Sequence, residues 1–165
     1  MTHYAPAPFI SRRAILSTGA ALVCVRIAAP SGAALADPEA PGVERTPHFI
    51  EDYQKLLAGR EAIEGGIDVE LPEIAENGNF VPITIHAESP MMADDHVTAI
   101  HLLSSGNPVA RVATFRLSPL NAVARVQSRM RLARTQDVVA IAEHSTGALR
   151  VATTLVKVTI GGCAS

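Results

Sequence analysis

The chain has 165 residues, 14 basic against 16 acidic side chains and a net charge of −2 with histidine neutral. Without a basic surplus it lacks the electrostatic footprint of a nucleic-acid binder. Tryptophan is absent and aromatic residues make up 4%, so aliphatic and alanine packing must build the core.

The N-terminus reads as a targeting segment. Arg12-Arg13 precede an apolar stretch that closes on Ala34-Leu35-Ala36, a small-residue cleavage signal. Residues 1–36 are therefore expected to be a twin-arginine signal peptide, with the mature protein starting at Asp37 in the periplasm. Arg26 interrupts the stretch and makes it too short and too charged to span a membrane. Ala21-Leu22-Val23 before Cys24 lack the small residues of a lipidation site. Loss of Arg12, Arg13 and Arg26 leaves 11 basic against 16 acidic residues, a net charge of −5. It also leaves Cys163 as the one cysteine, so no internal disulfide can form. The remaining 129 residues suffice for one domain, expected over 46–160 behind an extension at 37–45.

One helix is predicted next. Thr46 suits the N-cap and Pro47 the first helical position, and Phe49, Ile50, Tyr53, Leu56 and Leu57 share a face up to a stop at Gly59. From Gly65 the period changes to two. Ile67, Val69 and Leu71 alternate, Asn77-Gly78-Asn79 marks a turn, and Val81, Ile83 and Ile85 alternate again. Strands are predicted over 97–103 and 112–117, separated by Gly106-Asn107-Pro108. A further strand alternates from Ala124 to Leu132. Three more cover 138–143, 149–153 and 155–160, with a turn at Ser145-Thr146-Gly147. Seven or eight short strands at this spacing predict an all-β, immunoglobulin-like antiparallel sandwich with one N-terminal helix. The apolar run Val138–Ala142 is a candidate face or edge for pairing with a second subunit.

Three places could carry chemistry. Asp94, Asp95, His96 and His101 offer oxygen and imidazole ligands, but no second ligand cluster accompanies them and a solvated loop is expected; no metal and no cofactor are assigned. Alternation puts Arg125, Arg129 and Arg131 on one side of a strand, a weak anion signal that an exposed sheet face explains equally well. The sharpest feature is Gly161-Gly162-Cys163-Ala164-Ser165. Glycines remove the restrictions of a Cβ, so 161–165 is expected to be a mobile arm, with Gly161 and Gly162 as hinge and Cys163 as a thiol that can enter another protein's pocket. No lysine, arginine or histidine lies within five residues of Cys163, so its thiol must be activated by whatever pocket receives it. The rival expectation is a structural subunit whose cysteine makes an intermolecular disulfide or stays idle.

Several segments, in order, carry a family resemblance: the twin-arginine signal, Ile74–Asn79 with Val81-Pro82, Glu88–Met91, Asn107-Pro108 with Val112–Phe115, Arg129–Ala133 with Thr135-Gln136, and Val156–Cys163. Together they resemble the SoxY family, the sulfur-carrier subunits of the periplasmic thiosulfate-oxidising system. The resemblance implies a sandwich paired with a SoxZ-like second subunit. It implies that Cys163 carries thiosulfate-derived intermediates, while a cytochrome c complex, a sulfate-releasing hydrolase and, in some organisms, a sulfur dehydrogenase act on them. The chain would then be a carrier and not an enzyme. Family arms finish Gly-Gly-Cys-Gly-Gly; Ala164 and Ser165 depart from that.

Overall fold

A computed structural model describes residues 43–162. The signal peptide, most of the extension and Cys163 with the two residues after it lie outside the described residues. The helix α1 runs Pro47–Leu57 and starts as its sequence dictates: the Thr46 hydroxyl accepts from Phe49 N at 3.3 Å, with Pro47 at the first position. It ends through left-handed Ala58 (φ 49°) and Gly59 (φ 77°). Phe49 is the buried anchor, whereas Ile50, expected on the same face, is 42% exposed. Thr46→Ala is expected to lower stability by about 1 kcal/mol, the usual loss for such a cap. The shift should appear in the urea midpoint with an unchanged slope.

Among the described residues nine strands follow: β1 (Ala62–Glu64), β2 (Ile67–Glu70), β3 (Ile74–Asn77), β4 (Val81–Ala87), β5 (Val97–Ser104), β6 (Arg111–Arg116), β7 (Ala124–Met130), β8 (Gln136–His144) and β9 (Leu149–Ile160). They form the expected sandwich. One sheet has the order β1-β9-β8-β5-β6, with β3 also on β9; the other is β2-β4-β7. Two departures concern β9. The segments 149–153 and 155–160 are one continuous strand, since Thr153 and Thr154 suit extended backbone. The short strands β1 and β3, which show no period in the sequence, both pair with β9 in parallel, at opposite ends of it.

The packing has three layers. Val81, Ile83 and Ile85 of β4 point into the space between the sheets, against Ile100, Leu102, Val138 and Ala140. On the far side of the large sheet, Phe49 packs with Leu103, Val139, Ile141 and Val151. Strand β8 is thus covered on both faces and flanked by β5 and β9. Its apolar run reflects double-sided burial. Val138–Ala142 therefore cannot supply the subunit-pairing face or edge expected of it.

Candidate functional site: the root of the Cys163 arm

Strand β9 outruns its neighbour β8, whose last pairing is Gln136 with Val156. Beyond that point β9 needs new partners for its backbone. On one side β3 supplies them, with Ala75 beside Val158 and Asn77 beside Ile160. On the other lies the connection 131–135, from which the Thr135 hydroxyl accepts Val158 N at 3.0 Å.

Three segments then meet. Gly78 N donates to Ile160 O, Leu132 N to Gly78 O, and Gly162 N to Leu132 O, each at 2.8 Å. A Cβ on Gly78 would collide with the carbonyl oxygen of Leu132, one on Gly161 with that of Ala133, and one on Gly162 with the Gly78 backbone and Asn79 N. Close approach alone therefore requires glycine at 161 and 162, a reason independent of conformational freedom. We call this junction the clasp; Cys163 is the next residue along the chain.

Buried amides hold the connection in place. Asn107 donates from Nδ2 to Arg131 O at 2.8 Å and accepts Ala133 N on Oδ1 at 2.9 Å, imitating a strand partner. Gln136, fully buried, donates from Nε2 to Asn107 Oδ1 (2.8 Å) and Arg134 O (3.1 Å), and its Oε1 accepts Gly106 N (2.7 Å). In the sequence, Asn107, Gln136 and Gly78 stand out only as parts of family-like segments or turns.

The arginines regroup. Arg125 and Arg129 lie on β7, and Arg131 just beyond it, but the groove beside the clasp takes Arg129 and Arg131 together with Arg111 of β6. Arg125 pairs across from His86, toward the other end of β7. The groove is open, about 440 Å³, and Asn79 and Phe80 also line it. The Arg129 guanidinium sits 4.4 Å from the centre of the Phe80 ring.

The other candidates are not brought together. Asp94 and His96 lie in the loop before β5, and Asp95 Oδ1 lies 3.9 Å from His144 Nδ1. His101 points elsewhere, with Nδ1 3.1 Å from the Thr114 hydroxyl and Nε2 3.6 Å from Glu143 Oε2. Burial holds its pKa below the usual imidazole range, and Glu143 is in turn held low by its 2.7 Å hydrogen bond from Arg60. Among the described residues no group of three or more His, Cys, Asp or Glu is placed to hold a metal ion.

Fold and clasp define a helix-backed β-sandwich that presents the segment after its longest strand at one end. Residues 53–163 match the family model described as sulfur oxidation protein SoxY, a stretch that ends on Cys163. Among solved structures, the sulfur carrier protein SoxY from Chlorobium limicola f thiosulfatophilum is similar at 33% identity and a TM-score of 0.56. The match covers 70% of this chain and 100% of that one. A superoxide reductase (neelaredoxin) from Ignicoccus hospitalis matches at 19% identity and a TM-score of 0.52, covering 57% of this chain and 80% of its own; that likeness is one of fold. No curated protein matches the sequence. The chain belongs to the SoxY family.

Proposed function

We propose that the protein is a sulfur carrier that holds thiosulfate-derived intermediates covalently on Cys163 and delivers them to separate enzymes. The observation that carries this reading is the clasp. Asn77–Phe80, Asn107, Arg131–Gln136 and Gly161-Gly162 are scattered over the sequence, yet all serve to fix the chain immediately before Cys163. So much buried polar structure at one junction makes sense if the position of the next residue matters. The Chlorobium relative, a sulfur carrier protein, supports the same role.

In this reading Gly161 and Gly162 act as the hinge, and swinging requires the Gly162–Leu132 hydrogen bond to open. The working partners are a SoxZ-like subunit, a cytochrome c complex, a sulfate-releasing hydrolase and, in some organisms, a sulfur dehydrogenase. The compartment is the periplasm, reached by the twin-arginine route signalled by Arg12-Arg13. Intact-mass spectrometry of the protein from cells grown on thiosulfate tests the carrier role. The expected result is a set of sulfur and sulfur-oxyanion adducts that map to Cys163 and vanish in Cys163→Ser. A mass showing only free thiol or a disulfide-linked dimer would overturn it in favour of a structural subunit.

A further inference from the structure

We propose that the groove walled by Arg111, Arg129 and Arg131 is an oxyanion site that receives the negatively charged end of the sulfur cargo on Cys163, a sulfonate or thiosulfonate. The proposal rests on the carrier reading above. Its first support is charge. A chain whose expected mature form is net negative nonetheless lines one concavity with three arginines. Among the described residues neither Arg129 nor Arg131 has a carboxylate within salt-bridge reach, whereas Arg111 pairs with Asp52 of α1 at 3.7 Å and contributes to the groove chiefly as its wall. A concave wall of one charge sign concentrates field and attracts the opposite ion. The guanidinium fork suits the spread oxygens of an oxyanion better than a point-charge ammonium would.

Preorganisation is the second support. The Phe80 ring lies under the Arg129 guanidinium and holds it at the groove. The carbonyl of Arg131 is tied to Asn107 Nδ2, which fixes where that side chain leaves the backbone. Less rotamer entropy is then lost when an anion binds.

Placement is the third. Arg131 directly precedes Leu132, whose carbonyl accepts Gly162 N, and Asn79 and Phe80 directly follow Gly78, whose backbone touches Gly162. The residues that clasp the chain before Cys163 are thus the sequence neighbours of those lining the groove. Cys163 follows Gly162 by one Cα step of about 3.8 Å. Arg125 gives an internal control: it lies on the same strand and bears the same charge but does not line the groove, four residues and about 13 Å from Arg129.

The test loads the thiol chemically with an anion. In the full chain carrying Cys24→Ser, Cys163 is the single cysteine. Its thiolate attacks a central sulfur of tetrathionate. The central S–S bond breaks, a new S–S bond forms to give Cys–S–S–SO3−, and thiosulfate leaves with the electron pair, so the thiolate is oxidised and tetrathionate reduced. Iodoacetamide, which is neutral, reports the reactivity of the same thiol without an anion. In the Arg129→Gln/Arg131→Gln double variant, loading by tetrathionate should slow about tenfold, as expected for losing two charge-assisted contacts at a partly exposed site. Alkylation by iodoacetamide should keep its rate, and Arg125→Gln should change neither.

Equal slowing by Arg125→Gln would reduce the effect to the general field and overturn the site. Parallel slowing with iodoacetamide would mean a disturbed clasp and overturn it too. Unchanged tetrathionate loading with weakened capture of a partner subunit would replace it with a protein-docking role. Failure of any of these leaves the carrier reading standing on adducts at Cys163 in cells; absence of those adducts sinks the carrier reading whatever the groove does.

Discussion

Gly78→Ala is expected to destabilise the protein by about 3 kcal/mol, the upper part of the range for forcing atoms into a packed site. The added methyl would collide with the Leu132 carbonyl, which is backbone and cannot rotate away. Relief requires the turn at 77–79 or the connection 131–135 to move. Either motion breaks the Leu132 N–Gly78 O bond; moving the connection also breaks Gly162 N–Leu132 O, and moving the turn also breaks Gly78 N–Ile160 O. The variant should therefore lose protection of the Leu132 amide against hydrogen exchange, and of either the Gly162 or the Gly78 amide with it, together with its drop in urea midpoint. Gly59→Ala is the control. Gly59 has open space around its would-be Cβ and only a positive φ of 77° to punish the change. It should cost about 1 kcal/mol and leave exchange at the clasp as it was. Equal costs for the two variants would show that the clasp yields easily and that the glycine at 78 serves the turn alone.

What the sequence made legible follows the range of the interactions concerned. Thr46-Pro47 and the Phe49, Tyr53, Leu56 spacing announced α1 because capping and helical periodicity are local. Val81, Ile83 and Ile85 announced β4 for the same reason. Strands β1 and β3 escaped because three or four residues show no period, and because their existence depends on β9, joined to them only late in the chain. Leu132 continued the alternation of β7 yet lies past its end; full burial of its side chain in the core explains why the pattern carried through. Asn77-Gly78-Asn79 was readable as a turn. That its glycine would lie against Gly162 was not, since nothing local records a contact spanning half the chain. The arginine grouping failed similarly: strand alternation brought in Arg125, while Arg111 joined through the β5–β6 pairing.

Gln136→Leu should be nearly as damaging, about 2–4 kcal/mol, through a different mechanism. The leucine fills a similar volume, so packing is largely kept. What is lost is the acceptor for Gly106 N, a buried donor, and the donor shared between Asn107 Oδ1 and Arg134 O. Leaving a buried backbone N–H without a partner costs about 1–3 kcal/mol, and loosening Asn107 weakens its hold on Arg131 and Ala133. Gln136→Glu separates the polar account from a packing one. The Glu side chain keeps an acceptor for Gly106 N, but when ionised it turns a second acceptor toward Asn107 Oδ1 and the Arg134 carbonyl. Burial and those facing oxygens favour the protonated acid, which restores a donor, so the folded-state pKa at 136 lies above the unfolded one. With the folded pKa raised, the folded state binds the extra proton, and the stability it contributes is present at low pH and lost as pH rises through the folded pKa. The deficit of Gln136→Glu relative to Gln136→Leu should therefore shrink as pH is lowered toward the ordinary carboxylate range. A constant difference between the two across that window would mean that the amide at 136 fills space rather than ties the clasp to the sheet.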